Sequence, residues 1–162
     1  MISYSSISSA YNLISKYTIR TDVLATQYEN VHLYLKLCNQ QTTGSFKLRG
    51  ATHKILKAGQ VDTVSAVSSG NHGQAVALAA KNQGIKAHIY VPNNCVQSKA
   101  DAIAAYGAKL IRFSEPFENV EMKVRQNTDA LYISPYNDPD VIAGQGTVGL
   151  ELAEQTPRID TV

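Results

Sequence analysis

Short apolar segments alternate with segments of helical spacing along most of this chain. The strand-like segments are 31–37, 63–67, 87–91, 108–113 and 130–134. Helical spacing covers 46–58, 71–83, 96–106, 119–127 and 140–154. Strands that alternate with helices pair in parallel through right-handed crossovers, because each crossover helix packs back onto the sheet. The pattern therefore predicts an open, mainly parallel, twisted α/β sheet with helices on both faces.

The first 17 residues have a helical pattern of their own. Apolar or aromatic side chains recur at Tyr4, Ile7, Tyr11, Ile14 and Tyr17, and serines occupy the opposite side. We expect this helix to cover the rest of the fold.

Composition excludes several classes of protein. Of the 162 residues, 44% are hydrophobic and 17% are charged, which favours a folded core over disorder. The net charge of +2 is too small to attract nucleic acid. No basic residue precedes Lys16, and polar residues interrupt the longest uncharged stretch, 63–80. We expect a cytoplasmic protein without a nucleic-acid or membrane partner.

Neither the cysteines nor the histidines have the spacing of a metal site. Cys38 and Cys95 lie far apart without a CxxC motif, so neither a disulfide framework nor a zinc site is predicted. His32, His53 and His88 share no ligand spacing. We expect structural roles for these histidines and no metal site.

Lys47 is the first candidate for chemistry. The loop at 41–45 leads into a helix whose first turn contains this lysine. A helix N-terminus disfavours an ammonium ion, so a lysine there is a candidate for a neutral amine that forms a Schiff base. The alternative is an ordinary solvated lysine on a surface helix.

The second candidate is the sequence SSGNHG at 68–73. It follows an apolar strand and precedes an apolar helix, where α/β sheets bind their ligands. Small residues permit close approach of a ligand, and the N–H groups of a helix start suit a carboxylate or phosphate. The alternative is a capped turn with no ligand, and the motif is neither a Walker loop nor GxGxxG.

Together the two motifs resemble those of the fold-type II pyridoxal-phosphate enzymes, which have the fold of the tryptophan synthase β chain. The chain is most similar to the threonine/serine dehydratase and serine racemase family. The matching segments include TTGSFKLRGA, SSGNHGQAVALAA, GIKAHIYVPNN, AIAAYGAKL and DPDVIAGQGTVGLEL. The resemblance implies pyridoxal 5'-phosphate as cofactor, with Lys47 as its Schiff base, Asn71 as a hydrogen-bond partner of its ring and Phe46 packed beside the ring.

The resemblance also implies residues for the substrate, a small amino acid. Ser68, Ser69 and His72 would border its carboxylate, and Ser69 would be an acid/base residue opposite Lys47 in racemising members. Lys47 would take the α-proton, and loss of the β-hydroxyl of L-threonine or L-serine would give a 2-oxo acid and ammonia. Tyr136 stands where serine racemases have asparagine and threonine dehydratases have phenylalanine, which favours a dehydratase. Serine racemase activity and an inactive truncated module stay open as alternatives.

The resemblance covers nearly the whole chain, but members of the family run to roughly twice its length. We expect 1–45 to form the N-terminal edge of the large cofactor domain, 46–150 the small α/β domain, and 151–162 the start of the remaining, truncated large domain. The family's glycine-rich phosphate loop would follow Val162. In full-length form we expect a homo-oligomer.

Overall fold

A computed structural model describes residues 2–156 and 159–162. It has six α-helices: α1 (Tyr4–Ile14), α2 (Lys47–Ala58), α3 (Asn71–Gln83), α4 (Gln97–Ala104), α5 (Phe117–Gln126) and α6 (Pro139–Gln155). Its strands are β1 (Val23–Tyr28), β2 (Val31–Lys36), β3 (Thr63–Val67), β4 (Lys86–Pro92), β5 (Lys109–Phe113) and β6 (Leu131–Tyr132). Within the described ranges, no helix is long and apolar enough to cross a membrane.

The central sheet has four parallel strands in the order β5-β4-β3-β6. It confirms the predicted parallel α/β architecture. β6 is shorter than the predicted 130–134 and pairs with β3 only through Leu131 and Tyr132. One further backbone bond, from the N–H of Ile133 to the carbonyl of Ser65, ends the pairing, and the chain then continues towards Pro135. β6 therefore ends beside the carboxyl end of β3, and the residues that follow it lie there.

The segment predicted as a strand over 31–37 does form a strand, but outside the parallel sheet. β2 pairs antiparallel with β1, and a tight turn at Glu29 joins the two strands. Glu29 has φ of 51°, in the left-handed region that two-residue hairpin turns use. β1 was not predicted from the sequence, because its residues are largely exposed and it lacks the alternation of buried apolar residues that marks a core strand. The implied parallel pairing of this segment was therefore wrong.

Helices cover both faces of the parallel sheet, as predicted. Val64 and Ala66 of β3 belong to the main core, together with residues of α2 and α3. Val67, whose side chain points to the other face, packs with Val120 and Val124 of α5. The alternation of β3 side chains thus builds a core on each side of the sheet.

α1 packs against α2 and α6, which confirms a covering helix. Ser3 is its N-cap, and the Ser3 side chain accepts a hydrogen bond from the N–H of Ser6 in a capping box. The predicted apolar stripe was only partly right. Ala10 and Ile14 are the buried residues of the helix, whereas Tyr4 is 75% exposed.

α2 and α6 cross at two glycines. A Cβ atom added to Gly144 would lie 2.6 Å from the carbonyl oxygen of Arg49 and 2.9 Å from the Cα atom of Gly50. One added to Gly50 would lie 2.8 Å from the carbonyl oxygen of Val141. The two helix backbones approach this closely because neither glycine carries a side chain. This contact fixes the position of α2, which begins with Lys47.

Candidate active site

Lys47 is the first residue of α2, directly after an irregular loop. The loop closes through a hydrogen bond from the N–H of Gly44 to the carbonyl of Gln41. Gly44 has φ of 68°, a conformation that a residue with a side chain rarely adopts. Gln41 is buried, and its side chain bonds both the N–H and the carbonyl of Ile19. The loop is therefore held in one conformation before the lysine.

The amine of Lys47 is partly shielded from water and has a defined partner. Its Nζ atom donates to the carbonyl oxygen of Pro135 at 3.1 Å. The rings of Phe46 and Tyr136 lie with their centroids 5.2 Å and 5.6 Å from Nζ. Burial lowers the pKa of Lys47, because an ammonium ion is less stable away from water. The amine is thus neutral over a wider pH range than that of an exposed lysine.

The turn between β3 and α3 carries the other predicted residues. Ser68 and Ser69 are half-buried, and Asn71 is exposed at the first position of α3. The Ser68 hydroxyl accepts from the N–H of Gly70. A Cβ atom on Gly73 would lie 2.5 Å from the carbonyl oxygen of Ser68, so only glycine permits this packing. The turn therefore presents small polar groups on a closely packed backbone.

His72 lies in the interior rather than on the surface of this turn. It is 4% exposed, and its Nε2 atom lies 2.9 Å from the carbonyl oxygen of Ile133. The pKa of His72 is lowered to about 4, mainly by burial and to a smaller extent by the charge of Lys47, against the hydrogen bond to Ile133, which raises it. A neutral ring that donates from Nε2 has a lone pair on Nδ1, which is shielded from water and has no partner among the described residues.

Lys47 and His72 converge on one segment, the chain between β6 and α6. His72 contacts the carbonyl of Ile133, and Lys47 contacts that of Pro135. The structure thus brings the lysine motif and the SSGNHG turn together, as the two-motif interpretation requires. The sequence motifs point to Tyr136 but not to these carbonyl acceptors. A backbone oxygen carries no residue-type signal, so no pattern could have identified them.

Comparisons with known proteins agree on one family. The family model for pyridoxal-phosphate dependent enzymes matches residues 16–162. An L-threonine ammonia-lyase of Thermotoga maritima is 39% identical over 93% of this chain. A serine racemase of Arabidopsis thaliana is 40% identical over 97% of it. The crystal structure of a pyridoxal 5'-phosphate-dependent aspartate racemase superposes with a TM-score of 0.91 at 37% identity, over 98% of this chain and 52% of the other.

The chain spans at most about half the length of these relatives. The matched part is 39% of the ammonia-lyase and 50% of the serine racemase. Every predicted site residue lies within the matched range.

Proposed function

Because the chain belongs to the pyridoxal-phosphate-dependent enzymes, we propose that it performs β-elimination on a hydroxyamino acid, L-threonine or L-serine, to give a 2-oxo acid and ammonia. The observation that carries this proposal is the amine of Lys47, partly buried beside the SSGNHG turn and with a lowered pKa. A neutral amine at this position can react with an aldehyde and can accept a proton.

The described residues fit the cofactor. Phe46 and Tyr136 place aromatic rings near the lysine amine, where a planar ring can pack. Asn71 is an exposed residue of the SSGNHG turn, so its side-chain amide can reach an oxygen on the cofactor ring. We propose Lys47, Phe46 and Asn71 as the cofactor-binding residues of this half. When bound, pyridoxal 5'-phosphate supplies an electron sink for the α-carbon of an amino acid.

Lys47 has two tasks in this proposal. Its Nζ atom would hold the cofactor covalently, and it would become a free amine when the substrate amine takes its place on the cofactor. The released amine accepts the α-proton, and its lowered pKa favours the neutral form that this step needs. The hydrogen bond to Pro135 limits where Nζ can lie before it reacts.

The turn at 68–72 is proposed to bind the substrate carboxylate. The hydroxyls of Ser68 and Ser69 are donors at the start of α3, where the helix dipole favours an anion. The ring of His72 is neutral and faces the interior, so it suits a carboxylate poorly. We therefore assign the substrate contact of His72 to its backbone N–H, and a positioning role to its ring.

Tyr136 supports dehydration over racemisation. Its aromatic ring lies 5.6 Å from the lysine amine, and the resemblance matches it to the phenylalanine of threonine dehydratases. Serine racemase activity is the second candidate, and Ser69 is the observation that favours it. Ser69 is half-buried on the turn that also carries His72, where it would be the acid/base residue opposite Lys47.

Cofactor binding by the 162-residue chain and release of 2-oxo acid from L-threonine and L-serine test the proposal. We expect a visible absorbance band when pyridoxal 5'-phosphate is added, and a borohydride-stable adduct on the peptide that contains Lys47. Lys47→Ala should abolish both. Lys57→Ala is the matched control, because Lys57 is exposed in the last turn of the same helix.

The outcomes separate the candidates. Keto-acid release that depends on Lys47 supports the dehydratase, and conversion of L-serine to D-serine without keto acid supports the racemase. A band that survives in Lys47→Ala contradicts the assignment of the lysine. A cooperatively folded chain that binds no cofactor supports an inactive module.

The domain division also belongs to this proposal. We propose that 46–150 forms the small domain, that 1–45 and 151–162 belong to the large cofactor domain, and that a full-length form is a cytoplasmic homo-oligomer. Expression of 46–150 alone tests the division, since a domain should fold cooperatively without the flanking segments.

A further inference from the structure

A buried carboxylate on α6 holds two cations at once. The Oε1 and Oε2 atoms of Glu151 accept from Nη1 and Nη2 of Arg49, each at 2.8 Å. Oε2 also lies 2.6 Å from Nζ of Lys36. The side chains of Lys36, Arg49 and Glu151 are 6%, 1% and 2% exposed, so water screens these contacts very little. We call this set the Lys36–Glu151–Arg49 network.

Most of the remaining donors of the two cations are also used, whereas Nε of Arg49 is buried without a hydrogen-bond partner among the described residues. Lys36 donates to the carbonyl of Thr21 and to the side chain of Gln155, each at 2.6 Å. Arg49 donates to the hydroxyl of Thr147 and to the carbonyl of Ile19. Buried charges are tolerated when they are paired and hydrogen-bonded in this way. The network is therefore an ordered part of the interior.

The two cations flank the segment that carries Lys47. Lys36 is the last residue of β2, and Arg49 is in the first turn of α2, two residues after Lys47. The 37–46 segment between these elements contains only a short 3-10 turn, Cys38–Gln40. Glu151 therefore holds the loop before Lys47 at one end and the helix that begins with Lys47 at the other.

The face of α6 that carries Glu151 also packs directly against α2, which restrains α2 further. Gly144 permits the close helix contact, and Thr147 and Glu151 follow on the same face at helical spacing. α2 is thus fixed against α6 both by backbone contact and by buried charge.

We propose that Glu151 is a positioning residue, which fixes the 37–46 loop and the start of α2 through Lys36 and Arg49 and so holds the amine of Lys47 at the carbonyl of Pro135. This inference rests on the proposed role of Lys47. Loss of the Glu151 carboxylate should loosen the 37–46 loop and misplace the amine of Lys47, rather than weaken the whole fold evenly.

Glu151→Gln tests the inference, with Glu154→Gln as the matched control. Glu154 lies one turn away on the same helix and pairs with Arg20 at an exposed position. Amide hydrogen exchange is measured by mass spectrometry over the whole chain. We expect exchange of the 37–46 amides to rise about tenfold in Glu151→Gln, as for the loss of roughly one net hydrogen bond, and to stay unchanged in Glu154→Gln.

The second readout is Lys47 itself. Each variant is treated with pyridoxal 5'-phosphate and borohydride, and the adduct on the Lys47 peptide is quantified against time. We expect slower adduct formation in Glu151→Gln and the wild-type rate in Glu154→Gln. An even rise in exchange over the whole chain, with an unchanged rate at Lys47, would mean that Glu151 is merely structural and would overturn the inference.

If Glu151→Gln does not fold, Lys36→Met replaces it as the test variant. It leaves the Arg49–Glu151 pair intact and charge-balanced, and releases only the upstream end of the loop. Faster exchange confined to the loop supports the inference, and unchanged exchange there contradicts it. If wild-type protein forms no adduct at Lys47, the proposed function fails, whereas the exchange measurement still decides the role of Glu151.

Discussion

The amine of Lys47 donates to the carbonyl oxygen of Pro135 at 3.1 Å, across 88 positions of sequence. The helix that carries the lysine does not provide this acceptor. It comes from the segment that leaves the sheet after β6, and the same segment receives His72 through Ile133. The environment of the lysine therefore depends on how β6 ends.

The reactivity of Lys47 should reflect its burial. Because burial lowers its pKa below the ordinary value of 10.5, acylation of Lys47 should reach half its maximal rate at a lower pH than acylation of Nα-acetyl-lysine in the same solution. Competitive labelling with acetic anhydride, followed by peptide mass spectrometry, measures both rates. An equal or higher midpoint for Lys47 would contradict the shielded environment.

His72 should make the fold sensitive to acid. Its pKa is 6.5 in the unfolded chain and about 4 when buried, so below pH 6.5 the unfolded state binds a proton that the folded state does not. Stability is therefore lost as the pH falls from 6.5 towards 4, by up to about 3 kcal/mol from this residue.

His72→Gln isolates this contribution, because glutamine keeps an N–H donor for Ile133 but does not titrate. Urea unfolding of both proteins from pH 7 to pH 4 measures the difference in free energy of unfolding. The advantage of wild-type protein should shrink as the pH falls. A constant difference would show that the histidine does not titrate between the two states.

Gly144→Ala should separate α2 from α6. The added Cβ atom would lie 2.6 Å from the carbonyl oxygen of Arg49, and relieving that clash should cost about 1–3 kcal/mol in the free energy of unfolding. Gly149→Ala on the same helix meets no atom of the described residues within 4 Å and should stabilise the helix by up to about 1 kcal/mol. Urea unfolding of both variants checks this contrast, and equal effects would argue against the close helix contact.

Asp138 has two separable roles at the start of α6. Its side chain accepts from the N–H groups of Asp140 and Val141 as the N-cap, and it also pairs with Lys54 at 2.9 Å. Asp138→Ala should lower the free energy of unfolding by about 1 kcal/mol or more. Asp138→Asn keeps a capping oxygen without the charge, so it should recover most of that loss. Thermal and urea unfolding measure both, and no recovery in Asp138→Asn would assign the effect to the ion pair.

Sequence patterns predicted the elements that are buried along most of their length. β3 has the predicted bounds, Thr63–Val67, and so does α3, Asn71–Gln83. Both are largely buried, so each stands out in the sequence as a continuous apolar segment between polar or glycine residues. β1 was missed because an exposed strand has no such apolar segment. The sequence also predicted that the lysine motif and the SSGNHG turn share one site, since the resemblance links them.

The surroundings of the site were decided only by tertiary structure. The carbonyls of Ile133 and Pro135 are backbone atoms, and any residue type could provide them. Lys36, Arg49 and Glu151 read in sequence as ordinary surface charges, because lysine, arginine and glutamate are mostly exposed. They are buried here because three distant elements bring opposite charges together where water is excluded. A local pattern records the period of one segment, whereas burial and pairing depend on segments that are adjacent only after folding.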